Sequence, residues 1–327
     1  MSIRMCVIGC GWIVQSNHGP ALRILAQRCE VELAACCDLN SEFAQKVRKE
    51  FGFARADTDL DAMLDRERPD AVLVAVPPEV ACSIGKRVLS RGLPTLLEKP
   101  PADTLEGLDS MIAVAKEKQV INQVAFNRRF APILVELQRR LAAAGKVHCL
   151  QAWMMRTNRH DPDFSTTAIH LIDAVRFVLN DEYRSLDLRY QTWNSAGSPV
   201  TNFSIEGVMA SGTMLQICIC PDCGMQAEGF LARCAGRTFE TEMTPIGHQF
   251  QNYGLLREWS QSKPVETVSG KDLSGREEQF VGYGMLGQMA SFLQSVKQRS
   301  KPAMDLQNAR RSLELMLALR ARAATFG

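Results

Sequence analysis

Hydrophobic positions along the first 125 residues fall into two alternating textures. Near-continuous apolar runs occupy residues 3–8, 31–37, 71–76, 94–97 and 120–125, as expected of strands buried on both faces of a parallel sheet. Between them apolar residues recur every three or four positions, over 41–51, 80–90 and 105–118 and through Ala21, Leu22, Ile24 and Leu25, which predicts helices. Strands alternating with helices predict a doubly wound α/β sheet. An amphipathic helix at 132–144 then leads into a different texture. A strand at 149–155, a polar loop at 156–166 and a helix carrying Ile169, Leu171, Ile172, Ala174, Val175, Phe177 and Val178 come first. Strand-like segments follow in series at 185–192, 204–210, 212–220, 226–232 and 237–242. Consecutive strands predict a mainly antiparallel open sheet in an α+β domain. Two helices, 279–298 and 306–324, close the chain. The expected domains are therefore 1–124 and 125–327, with the two C-terminal helices free to pack back on the first domain.

The turn after the first strand reads Gly9-Cys10-Gly11-Trp12-Ile13-Val14. Gly9 allows a tight turn, and Gly11 lets the backbone approach a pyrophosphate lying on the next helix N-terminus, where free N–H groups and the helix dipole favour an anion. Val14 occupies the place of the usual third glycine, so the helix must pack differently there. The second strand ends in Cys37-Asp38, an acid placed to accept hydrogen bonds from ribose hydroxyls. No arginine or lysine follows before Lys46, which favours NAD over NADP because a 2′-phosphate would meet a carboxylate without a nearby cation. These features predict a Rossmann domain at the N-terminus.

Charge narrows the partners. With 23% charged residues and a formal net charge of +2, nothing points to nucleic acid or an anionic membrane. The N-terminus enters a strand directly and no apolar run reaches membrane-spanning length, so a cytoplasmic location is expected. Eleven cysteines, mostly on expected strands, read as small buried hydrophobes in a reducing compartment. The one pair at metal or redox spacing is Cys220-Pro221-Asp222-Cys223, with Cys218 close by. A closed zinc site needs two more ligands, and none follows before Cys234 and His248, so no metal is expected.

Leu96-Leu97-Glu98-Lys99-Pro100 places a lysine at the carboxyl end of a strand, where open α/β sheets bind ligands. Together with Gly9-Cys10-Gly11, Cys37-Asp38, Asn127-Arg128-Arg129-Phe130 and His170-Leu171-Ile172-Asp173, it resembles the Gfo/Idh/MocA family, which includes glucose-fructose oxidoreductase and inositol dehydrogenase. The resemblance spans the chain. It implies a Rossmann domain for the cofactor and an α+β domain whose open sheet holds substrate and makes subunit contacts, giving a homo-oligomer, dimer or tetramer. It implies hydride transfer between NAD(P) and a secondary hydroxyl or ketone of a sugar, cyclitol or sugar derivative. It also implies a cofactor lying against Gly9, Gly11, Trp12, Ile13, Asp38, Val76, Pro77, Glu98, Lys99 and Asn127. Lys99 would touch nicotinamide ribose and substrate hydroxyl, and His170 would act as base. Those residue types suit the chemistry, since histidine titrates near neutrality and a lysine cation stabilises developing alkoxide.

Two positions depart from the family pattern. Many relatives carry aspartate one helical turn before the histidine, where this chain has Thr166, and a histidine after the Pro-Pro turn, where it has Ala81. Either Lys99 and His170 suffice, or Asp161, Asp163 or Asp173 supplies a carboxylate. The loop at 156–166 is the expected substrate-facing segment, with Arg156 and Arg159 either clamping an anionic group or simply solvated, and Thr166 and Asp173 beside them. Alternative activities are NAD-assisted glycoside cleavage and nucleotide sensing without turnover.

Overall fold

The computed structural model describes residues 2–243, 254–302 and 304–327. The chain divides into two compact units, Met1–Asn127 with Met285–Arg310, and Arg128–Gly284 with Arg311–Gly327.

In the first unit six strands form one parallel sheet: β1 (Ile3–Ile8), β2 (Val31–Cys37), β3 (Arg55–Asp57), β4 (Ala71–Val74), β5 (Thr95–Leu97) and β6 (Asn122–Val124). Their order is β3-β2-β1-β4-β5-β6, so the strand order reverses between β1 and β4. Helices α1 (Gly19–Gln27), α2 (Ser41–Phe51), α3 (Leu60–Glu67), α4 (Pro78–Ser90) and α5 (Leu105–Glu117) connect them. Local signals fix their ends. Asn40 accepts hydrogen bonds from the N–H groups of Glu42 and Phe43 at the start of α2, and Gly52 closes it in the left-handed region. Met5, Cys6, Val7, Val72 and Leu73 are fully buried, as a sheet covered on both faces requires.

Val14 is accommodated by a change of helix type. Val14–His18 forms a π-helical turn ahead of α1, and Val14 is fully buried. The close approach is made one turn later, at Gly19, where a Cβ would lie 2.4 Å from the Phe51 ring of α2.

The second unit begins with a 3₁₀ turn, Asn127–Phe130, at the boundary, followed by α6 (Pro132–Ala144), β7 (Val147–Met155) and α7 (Ser165–Leu179). Strands β8 (Tyr183–Ser195), β9 (Ser198–Met209), β10 (Met214–Cys220), β11 (Ala227–Cys234), β12 (Arg237–Met243), β13 (Leu255–Ser260) and β14 (Lys263–Ser269) come next. Short helices α8 (Gly270–Ser274) and α9 (Gln279–Gly282), then α10 (Met285–Gln298), α11 (Leu306–Arg320) and β15 (Thr325–Phe326) complete the chain. The sheet runs β14-β13-β12-β11-β7-β10-β9-β8-β15. It is mostly antiparallel, with β10 parallel to β7. Inward residues Leu150, Met154, Leu215, Ile217, Phe230 and Ala232 pack with Leu171, Ile172 and Val175 of α7 in one core. On the opposite face β10 presents Met214, Gln216 and Cys218 to solvent.

Three expectations from the sequence are corrected. The helix expected over 279–298 is broken by Gly284, whose φ of +83° ends α9 before α10 begins. The helix expected over 306–324 ends at Arg320, and β15 follows. The strands β13 and β14 were absent from the pattern, β14 because Lys263–Ser269 is polar and mostly exposed and carries Pro264.

Candidate active site

In the first unit the site is built at the carboxyl ends of neighbouring parallel strands. Gly9 follows β1, Asp38 follows β2, Val76-Pro77 follows β4, Glu98-Lys99 follows β5, and Asn127 follows β6. This is the edge at which doubly wound sheets bind ligands, centred where the strand order reverses.

Gly9 is demanded by the backbone. Its φ is +90°, and a Cβ there would lie 2.1 Å from the carbonyl oxygen of Ala75. Gly11 has open space where a Cβ would stand. The N–H groups of Trp12 and Ile13 open the helical stretch that continues as the π turn, so they lack carbonyl partners four residues earlier in the helix. Trp12 is exposed, while Ile13 is half-buried. Asp38 is oriented from both sides, its Oδ2 accepting from Cys10 N at 2.7 Å and its Oδ1 from Asn40 N at 2.8 Å. An acidic surround goes with it. Burial and the carboxylates of Asp57, Asp38 and Asp59 together push the Cys37 thiol up to about 12. Arg66, which pairs with Asp57, is also bound to Glu67.

Glu98 was expected only as a cofactor contact, and its partner, His18, escaped the sequence reading. His18 Nε2 lies 2.6 Å from Glu98 Oε1, with His18 fully buried and the Glu98 side chain 11% exposed. Glu98 Oε2 accepts from the Lys99 backbone N–H at 3.0 Å. Burial alone would raise the Glu98 pKa, but the His18 hydrogen bond and the Lys99 charge outweigh it and hold the carboxyl below its ordinary value. The result is an ordered chain, His18 to Glu98 to the Lys99 backbone, ending in a half-buried lysine. The Lys99–Pro100 peptide is cis. Asn127 is fully buried. The available signal for His18 was a lone histidine within the glycine-rich helix start, Asn17-His18-Gly19-Pro20, with nothing local to pair it.

In the second unit, Arg156, Arg159, Thr166, His170 and Asp173 lie on the β7–α7 connection and the start of α7. His170 and Thr166 are half-buried one helical turn apart, and Thr166 Oγ1 donates to the Asp163 carbonyl at 3.1 Å. Arg159 is tied to Asp161 at 2.8 Å and to Thr167 Oγ1 at 3.3 Å, and it stacks 5.5 Å from the Phe164 ring centroid.

Two residues of the expected substrate set are held by buried partners. Asp173 is fully buried, and its oxygens accept from Arg129 Nε and Nη2 at 2.7 Å each and from Ser312 Oγ at 3.0 Å. It anchors α7 to Arg129 and Ser312. Arg156 is also buried, with Nη2 on Glu228 at 2.5 Å and Nη1 on the Met155 carbonyl at 2.9 Å. Glu228 is shared with Arg128, which binds it through Nε and Nη2. Burial opposes charge on Glu228, yet the two arginines prevail and lower its pKa to about 2. The successive arginines of the Asn127–Phe130 turn thus grip two elements, β11 through Glu228 and α7 through Asp173.

Among the described residues no group of three or more His, Cys, Asp or Glu side chains is arranged to hold a metal. His248 lies outside them. Among the same residues no helix is long and apolar enough to cross a membrane.

Comparison with known proteins agrees with this architecture. Residues 3–126 match the family described as "Oxidoreductase family, NAD-binding Rossmann fold", GFO_IDH_MocA. By this match residues 3–126 are similar to the NAD-binding Rossmann domain of the Gfo/Idh/MocA oxidoreductases. An inositol 2-dehydrogenase from Saccharopolyspora erythraea is 27% identical over 246 residues, covering 71% of this chain and 70% of that protein. A D-glucoside 3-dehydrogenase from Escherichia coli is 27% identical over 192 residues, and the match spans 54% of each chain. A solved oxidoreductase from Agrobacterium radiobacter, in complex with NAD+, L-tartaric acid and magnesium, has the same fold, with a TM-score of 0.82 at 15% identity over 100% of this chain and 98% of that one.

Proposed function

We propose that this protein is a Gfo/Idh/MocA oxidoreductase that transfers a hydride between NAD and a secondary hydroxyl or ketone of a sugar, cyclitol or sugar derivative. The observation that carries the reading is the alignment of Gly9, Asp38, Val76-Pro77, Glu98-Lys99 and Asn127 along one edge of the parallel sheet. The donor set fits a dinucleotide: open space at Gly11, first-turn N–H groups at Trp12 and Ile13 for the pyrophosphate, and an oriented carboxylate at Asp38 for the ribose. When bound, the nicotinamide supplies the hydride acceptor or donor.

The acidic surround of Asp38 supports NAD over NADP, since a 2′-phosphate would bring negative charge to a rim that already carries the carboxylates of Asp57 and Asp59. Lys99 acts by charge beside the reacting oxygen, and the His18–Glu98 pair holds the backbone from which it projects. His170 takes or returns the hydroxyl proton. With Asp173 committed to Arg129, the reactive set is Lys99 and His170 without a carboxylate on α7. The relatives' substrates, an inositol and a glucoside, support a polyhydroxylated ring.

The test is a cofactor-reduction screen over cyclitols, free sugars, glycosides and sugar acids, with NAD and NADP in parallel. Reduced nicotinamide should accumulate with NAD and at least one such ring. Glycoside cleavage without net cofactor reduction, or no turnover of any member, would overturn the reading.

A further inference from the structure

The cysteine cluster noted in the sequence lies outside the dehydrogenase chemistry. Cys218 and Cys220 sit two residues apart on the same face of β10, with their sulfurs 3.7 Å from each other. Both are free thiols, Cys218 exposed and Cys220 half-buried. Two steps along a strand span about 6.6 Å, near the upper end of the roughly 4.4–6.8 Å Cα separation that a disulfide bridges. The pair can therefore close without moving the strand, but under strain, and strained disulfides are the readily reduced ones.

We propose that Cys218 and Cys220 form a reversible oxidation site, converted by a small hydroperoxide into an intrastrand disulfide. The Cys218 thiolate attacks one peroxide oxygen, the O–O bond breaks, hydroxide leaves, and Cys218 becomes a sulfenic acid. The Cys220 sulfur then attacks the Cys218 sulfur; the S–S bond forms, the S–O bond breaks, and water departs with the thiol proton. Two electrons pass from the sulfurs to the peroxide.

The two thiols are matched to these roles. A hydrogen bond from Cys220 lowers the Cys218 thiol to about 7 against the opposing effect of burial, while Cys220 is pushed up. At neutral pH Cys218 is then about half thiolate, roughly 15-fold more than an ordinary thiol of pKa about 8.5. Cys223 is turned elsewhere, its Sγ donating to the carbonyls of Arg156 and Met225. The Cys220 carbonyl accepts the Arg156 N–H at 2.9 Å, so the site lies one hydrogen bond from the loop that precedes α7.

The experiment is mild hydrogen peroxide treatment of the intact protein, then removal of peroxide, denaturation, thiol alkylation and peptide mass mapping. Two of the eleven thiols should become unreactive, mapped to Cys218 and Cys220, and dithiothreitol should restore both. In Cys220→Ala the disulfide should be lost, dimedone should trap a sulfenic acid at Cys218, and Cys218 alkylation at pH 7 should slow by about 3-fold, the larger loss of thiolate being partly offset by its greater nucleophilicity. Cys223→Ser should leave the disulfide intact. Eleven reactive thiols after peroxide, a Cys218–Cys223 bond, or an unchanged Cys218 alkylation rate in Cys220→Ala would overturn the proposal.

Discussion

Replacing Glu228 by glutamine keeps the side chain's shape and removes the charge that neutralises Arg128 and Arg156. The carboxylate is fully buried, and its pKa is lowered from 4.5 to about 2. That difference is worth about 3 kcal/mol at neutral pH, in line with the roughly 3–5 kcal/mol cost of breaking a buried ion pair. The sign follows from the depressed folded-state value. The stabilisation is complete above the ordinary pKa of 4.5 and is lost as pH falls through about 2. By the same linkage it should shrink to about 1 kcal/mol at pH 3. Urea unfolding followed by tryptophan fluorescence reads the relevant unit, because Trp153, Trp193 and Trp259 belong to it and only Trp12 to the other. Wild type and Glu228→Gln should differ by about 3 kcal/mol at pH 7 and by less than half of that at pH 3. A difference under about 0.5 kcal/mol at pH 7, or one independent of pH, would show that the two arginines do not depend on this carboxylate.

Asp38→Ala should weaken NAD binding and narrow its advantage over NADP, measured by titrating both cofactors; tighter NADP binding to the unaltered protein would reverse the assignment. His170→Ala should reduce turnover by about 10²–10⁴-fold as a lost general base, whereas Thr166→Ala, losing a neutral hydrogen bond worth roughly 0.5–1.5 kcal/mol, should cost far less. Equal losses with the fold intact would give Thr166 a direct role in holding substrate or ordering the base.

The parts of the fold written in short-range signals were legible. The α2 helix is bounded in sequence by Asn40 and Gly52, each of which does in space what its residue type announces. The glycine turn and Asp38 were equally readable, because one strand, one turn and the next strand carry the whole motif. Partnerships made across long stretches of chain were not. His18 pairs with Glu98 80 residues on, and Arg128 with Glu228 100 residues on, and neither carboxylate differs locally from a solvated one. The buried partners of Arg156 and Asp173 were hidden for the same reason: a loop arginine and a helix-start aspartate look unpaired until the groups that bind them are known. The π turn at Val14–His18 was visible only as a missing glycine, since the sequence says that the usual packing fails there but not what replaces it.

The most direct test of the central claim is to follow cofactor reduction and ketone formation together, at saturating NAD and with a substrate found in the screen, for wild type and Lys99→Ala. Wild type should form one reduced nicotinamide per ketone. Lys99→Ala should lose about 10²-fold or more in turnover while keeping NAD affinity within a few-fold, because the pyrophosphate and adenosine ribose contacts proposed at Trp12, Ile13 and Asp38 lie elsewhere on the sheet edge. Near wild-type turnover in Lys99→Ala, or product released without reduced cofactor in wild type, would contradict the account.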